Sequence, residues 1–80
     1  MTREEIQAAI AEDVREELDW EGEVHDAVRL IEDLQLDSIK LLSLAMRIED
    51  RFRIALDETD EQALVTIGDL VDLVETKRGS

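Results

Sequence analysis

Eighty residues, 44% hydrophobic and 39% charged, make one small domain rather than two, and a chain this short buries only about 60% of the surface that it exposes when unfolded. Three glycines and no proline suit a helical domain better than a turn-rich β-sandwich or a disordered tail, and without cysteine the chain has no disulfide, no thiol nucleophile and no cysteine-ligated zinc. Twenty-two acids against nine bases give a formal charge of -13, which repels nucleic acid and acidic membrane surfaces and favours basic protein partners.

The first residues lack the basic, apolar pattern of a secretory segment, and the most continuous apolar stretch, Leu41 to Met46, is broken by Ser43 and too short to span a bilayer. A soluble, unprocessed, cytoplasmic chain is expected. Thr2 followed by Glu5 has the spacing of a capping box, and Ile6, Ile10, Val14 and Leu18 then recur every four residues beside Ala9, which predicts a helix over roughly residues 3–18. Its other face, with Glu4, Glu5, Glu12, Asp13, Glu16 and Glu17, reads as solvated.

From Asp19 to Asp37 the periodicity weakens, and a connection this long is uncommon in a compact domain unless it is functional or packed by its own side chains. Trp20, Val24, Val28, Leu30, Ile31, Leu34 and Leu36 argue that it is packed, with Gly22 in a permissive turn and a short helical turn over Arg29 to Leu34. Asp37 then stands as N-cap to the strongest helical segment, Ser38 to Phe52. Arg53 to Thr59 reads as loop and Asp60 to Leu64 as a short helix. Thr66 with Asp69 opens a last helix that buries Ile67, Leu70, Val71 and Val74. The expected architecture is all-α: three longer helices and one short one around a single core, well ordered over about residues 3–76 and frayed over 77–80.

Few residues offer catalytic chemistry. His25 is the only histidine, lies in the long loop and has no serine tied to it, so it reads as a surface or partly packed residue. Asp57, Thr59 and Glu61 alternate as calcium ligands do, but Gln62 occupies the place where that loop requires glycine, and no glycine-rich phosphate loop is present. What remains is Ser38 in the first turn after Asp37, where the helix dipole and unpaired N–H groups favour an attached anion. Taken alone, the dipeptide reads first as a capping pair.

The surrounding residues add to this. The run Leu30-Ile31-Glu32-Asp33-Leu34-Gln35-Leu36-Asp37-Ser38-Ile39, continued by Leu42, Leu44, Met46, Ile48, Glu49, Asp50 and Phe52, closely resembles the modification site of acyl carrier proteins. The likeness extends through Ile54, Leu56, the acidic Asp57 to Glu61, Leu64, Thr66 and Ile67 to Val74. Helix one and the first loop match by pattern only. The resemblance implies a four-helix bundle on which a phosphopantetheinyl transferase, using coenzyme A and magnesium, attaches 4′-phosphopantetheine to Ser38. It further implies a carrier rather than an enzyme, a monomer whose arm holds acyl groups as thioesters and exchanges them with acyl-loading, condensing and tailoring enzymes. The transferase supplies the activation, so Ser38 needs no neighbouring base. Two departures stand out: Gln35 where the family commonly has glycine, which suggests a looser or different turn, and no proline around Leu56 and Asp57.

Projected at about 100° per residue, the Ser38–Phe52 helix separates into three faces. Leu41, Leu44, Ala45, Ile48 and Phe52 face the core. Ile39, Leu42 and Met46, bordered by Glu49 and Asp50, adjoin Ser38 and resemble a docking strip with steering charges, to which the acidic Asp57 is added as a partner contact. Lys40, Arg47 and Arg51 form a basic stripe, unlike the nearly all-acidic helix typical of fatty-acid-synthesis carriers. It either pairs with nearby acids or selects partners by a mixed charge pattern, pointing to a specialised polyketide, mixed peptide or modified-fatty-acid pathway. The alternatives are a peptidyl or aryl carrier of nonribosomal peptide assembly, since the Asp-Ser-Ile form occurs there too, and an unmodified acidic helical adaptor.

Overall fold

The computed structural model describes residues 2–78, which occupy about 30 × 25 × 20 Å. Four helices follow in order: α1 (Arg3–Leu18), α2 (Ser38–Phe52), α3 (Glu58–Gln62) and α4 (Ile67–Lys77). The start of α1 is set by reciprocal capping: the Thr2 hydroxyl accepts from the Glu5 N–H at 3.2 Å while the Glu5 carboxylate accepts from the Thr2 N–H at 3.0 Å. That backbone hydrogen bond holds the Glu5 carboxyl below its ordinary value. Ile6, Ala9, Ile10 and Val14 of α1 meet Leu44, Ile48 and Phe52 of α2 and Ile67, Leu70, Val71 and Val74 of α4 in one apolar cluster.

The long segment between α1 and α2 closes that cluster. Val28, Leu30, Leu34 and Leu36 are buried in it and Trp20 and Val24 pack against its edge, as their apolar character predicts, whereas Ile31 stays exposed. Trp20 also donates from Nε1 to the Glu23 carbonyl at 3.3 Å across Gly22. The expected turn over Arg29 to Leu34 is present: the N–H groups of Asp33 and Leu34 donate to the Arg29 carbonyl at 3.0 and 3.1 Å.

The segment is pinned to the α3–α4 connection by backbone bonds. Leu30 N–H donates to Val65 O at 2.8 Å and Ile67 N–H to Val28 O at 2.9 Å, forming an isolated antiparallel bridge between Arg29 and Thr66. Gly68 N–H reaches the Asp26 carbonyl at 3.0 Å, and a Cβ on Gly68 would lie 3.2 Å from both that oxygen and the Asp26 Cβ, so only glycine admits this approach without displacement. Arg3 adds a clamp, binding Asp72, Glu75 and Asp26 at 2.6, 2.5 and 3.1 Å and so joining α1, α4 and the long loop.

Two expectations change. The short helix spans Glu58–Gln62 and not Asp60 to Leu64, because Asp57 and Asp60 cap it reciprocally and thereby fix its start two residues earlier; Leu64 is buried in the connection beyond it. Helix α4 runs through Lys77, whose ammonium binds Asp60 at 2.8 Å and ties α4 to α3; Gly79 and Ser80 of the expected frayed tail lie outside the described residues. The second concerns Asp13. The face of α1 assigned to solvent includes this residue, yet it is only 1% exposed. The reason is its phase: seven residues from Ile6 and three from Ile10, it shares their stripe.

Candidate functional site

The approach to α2 is set by three residues. Gln35 has φ 57°, the left-handed region that ordinarily favours glycine. Glycine takes this backbone without a Cβ penalty, whereas Gln35 holds it with one. Leu36 is buried, and its N–H donates to the Leu30 carbonyl at 3.3 Å, anchoring the strand of chain that leads into the helix. Asp37 is extended, at φ -89° and ψ 179°, and its carboxylate accepts from the Lys40 N–H at 2.8 Å while its carbonyl accepts from Leu41 N–H at 2.9 Å. The predicted N-cap is present, and Ser38 follows as the first helical residue with its side chain exposed. An exposed hydroxyl at a helix N-terminus has room for a bulky phosphodiester, and the dipole there favours its charge.

Beyond Ser38 the outward side of α2 carries Ile39, Leu42 and Met46, which are 77%, 52% and 60% exposed. The core side carries Leu44, Ala45, Ile48 and Phe52 buried and Leu41 half-buried against the core, as the helical phase predicts. Lys40 and Asp50 are exposed. Glu49 is not a free charge: its carboxylate accepts from the Leu56 N–H at 3.0 Å and its carbonyl from the N–H groups of Arg53 and Ile54, which orders the loop between α2 and α3. Asp57 is likewise engaged, as the cap of α3, although it remains exposed.

Arg47 and Arg51 face α1. Arg51 grips the buried Asp13 with Nε at 3.0 Å and Nη2 at 2.9 Å, and also approaches Glu12 at 3.5 Å. Arg47 binds Glu16 at 2.7 Å and Glu17 at 3.1 Å, with Asp13 3.5 Å away. These carboxylates, chiefly Glu17 for Arg47 and Asp13 for Arg51, push both guanidiniums further up from their already basic values. Of the two readings of the basic stripe, pairing with nearby acids is what these two side chains do; only Lys40 of the three remains without a carboxylate within 4.0 Å among the described residues. Asp13 and the loop-ordering role of Glu49 were not anticipated. A count of seven from Ile6 marks Asp13 as inward-facing, and Glu49, four residues from the buried Ala45, stands at the border of the core stripe in the same way.

His25 is exposed in the long loop, its Nδ1 accepting from the Ala27 N–H at 3.2 Å. It lies in a local turn with no described hydroxyl bonded to it. Among the described residues no helix is long and apolar enough to cross a membrane.

The chain matches the family described as "Phosphopantetheine attachment site" over residues 8–74. It is 35% identical over 79 residues to an acyl carrier protein of Thermotoga maritima, covering 98% of each chain. It is 32% identical over 76 residues to the meromycolate extension acyl carrier protein of Mycobacterium leprae, covering 94% of this chain and 66% of that one. Its fold superimposes on the acyl carrier protein of Enterococcus faecalis with a TM-score of 0.80 at 29% identity, over 96% of this chain and 99% of the other. A match that runs through all four helices and includes the capped turn at Asp37 leaves one conclusion: the chain belongs to the acyl carrier protein family, whose members bear covalent 4′-phosphopantetheine and work as carriers with synthesis enzymes and phosphopantetheinyl transferases.

Proposed function

We propose that Ser38 is the residue that takes 4′-phosphopantetheine, and that the 80-residue chain works as one cytoplasmic, monomeric carrier domain. The observation that carries this is the exposed Ser38 at the first position of α2, held by the Asp37 cap and by the anchored Leu36. The prosthetic group supplies a thiol that a cysteine-free chain lacks, and on it an acyl group is held as a thioester. The protein's own part is to hold the Ser38 oxygen in a fixed, open place and to keep the phosphodiester near the N-terminal end of the helix dipole. No base is required next to Ser38, because the transferase activates the hydroxyl. Nucleic acid and membrane are not partners of so acidic a chain.

Docking is assigned to the outward side of α2. Ile39, Leu42 and Met46 supply apolar anchors and Asp50 a charge at the far end. Arg47 and Arg51, bonded to α1, are left out of that surface, and Glu49 and Asp57 enter it only as residues that hold the loop and α3 in place. A cationic Lys40 beside Ser38, with Gln35 in a glycine conformation, marks a divergent carrier that serves a specialised polyketide, mixed peptide or modified-fatty-acid pathway. Incubation with coenzyme A, magnesium and a broad-specificity transferase is expected to add one phosphopantetheine mass to the chain and none to Ser38→Ala. An unmodified wild-type chain, or a modified Ser38→Ala chain, defeats the proposal.

A further inference from the structure

The charges of α2 sort into two groups once their partners are counted. Arg47 and Arg51 are neutralised by four carboxylates of α1, and Glu49 is bonded to the loop beyond the helix. The first turn of α2 holds no acid, and among the described residues no carboxylate lies within 4.0 Å of the Lys40 ammonium. The outward side of α2 therefore presents an apolar strip with one exposed acid, Asp50, towards its far end, and Lys40, on the stripe of Arg47 and Arg51 but at the N-terminal end of the helix, flanks that strip as a free cation two residues from Ser38. On a chain of net charge -13, Lys40 and the exposed carboxylate of the Asp37 cap leave the end of α2 nearest the attachment point close to neutral rather than acidic.

We propose that Lys40 selects the partner: an enzyme that docks on this side presents an apolar groove whose rim carries a carboxylate where it faces Lys40, close to the opening that receives the arm. The inference rests on the carrier reading of Ser38. Its physical basis is charge complementarity. A basic rim suited to an all-acidic carrier meets Lys40 with like charge at the closest point of approach, whereas an acidic rim gains a charge-assisted hydrogen bond there. The ammonium has no internal carboxylate to retreat to, so an interface that covers it without supplying an acceptor is weakened.

The test uses the holo chain as wild type, Lys40→Glu and Lys40→Met, with two acyl-transferring probe enzymes, one chosen for a basic docking rim and one for an acidic rim. With the basic-rim enzyme, Lys40→Glu is expected to raise kcat/KM about five-fold and Lys40→Met by less, as for exposed ion pairs. With the acidic-rim enzyme the same substitutions lower it by similar factors. Both effects shrink towards unity at 1 M salt, where the Debye length is about 3 Å. Changes of the same sign with both enzymes, changes below two-fold with both, or effects that persist at high salt overturn the assignment to Lys40. Mass measurement before each assay separates the two readings: a wild-type chain that takes up no phosphopantetheine overturns the carrier reading of Ser38 and this inference with it, whereas loaded chains that fail the charge test overturn this one alone.

Discussion

The two sides of α2 are made from similar residues and meet opposite ends. On the side towards α1, Arg47 and Arg51 are bound by Asp13, Glu12, Glu16 and Glu17, so the charges there act as cross-links between helices. On the outward side, Ile39, Leu42 and Met46 lie open, and Lys40, at the N-terminal end of the arginine stripe, flanks them with no carboxylate within 4.0 Å among the described residues. The presence of basic residues does not by itself separate the free surface from the paired one. What separates them is whether a neighbouring helix supplies complementary groups at the same height. In a chain with more than twice as many acids as bases, Arg47 and Arg51 find carboxylates on α1, whereas the exposed Lys40 stays available for binding.

The sharpest way to break this comparison is to remove the buried end of the cross-link. Asp13 accepts three hydrogen bonds from Arg51 within 3.2 Å and is closed off from solvent. Asp13→Ala is expected to cost about 3 kcal/mol, because charge-assisted bonds and a filled site are lost together while Arg47 and Arg51 keep their outer acids. Asp13→Asn, which preserves shape but not charge, is expected to cost about half of that. Denaturant unfolding measures both. Phosphopantetheine uptake per folded molecule is expected to be unchanged, since Ser38 and its cap lie on the far side of the helix. A loss of uptake at full folding would mean that the two sides are coupled.

Asp13 also marks the limit of what the sequence discloses. Helix periods, the Thr2, Asp37 and Thr66 caps and the core of α2 were legible because each depends on residues a few positions apart. The Asp37-Ser38 turn was legible as a motif. The partners of Arg47 and Arg51 were not, because they lie about thirty to forty residues away, and their meeting depends on how α1 is laid against α2. The same holds for Glu49, whose bond to Leu56 exists only after the chain has turned at Arg53. The start of α3 was obscured by a different cause: four acidic residues, Asp57, Glu58, Asp60 and Glu61, lie in a short stretch, and a pattern reading does not distinguish a capping aspartate from its neighbours.

A smaller effect is expected at the hinge between the two sides. Gln35 holds a left-handed backbone that costs an L residue about 1–2 kcal/mol, part of which glycine would give back through the greater entropy of its unfolded state. Gln35→Gly is therefore expected to stabilise the chain by about 0.5–1 kcal/mol, read as a raised unfolding midpoint. Gln35→Val, β-branched and poorly suited to positive φ, is expected to destabilise it. If glycine lowered stability, the glutamine side chain would have to contribute a contact beyond those given by its exposed position.

The least perturbing change addresses the outward side itself. Met46→Ala removes a side chain that is 60% exposed, so its effect on stability is expected to stay within about 0.5 kcal/mol. If this strip is where enzymes dock, the same substitution should raise KM for acyl exchange by about five-fold or more, because an apolar anchor at the centre of an interface contributes upwards of about 1 kcal/mol there. Asp13→Ala and Met46→Ala then form a crossed pair: one lowers stability and leaves exchange by folded molecules intact, the other does the reverse. A Met46→Ala chain that unfolds early would place this side in the core's service. One that exchanges acyl groups at the wild-type rate would move docking elsewhere, to the exposed Ile31 and Val65 that border the long loop.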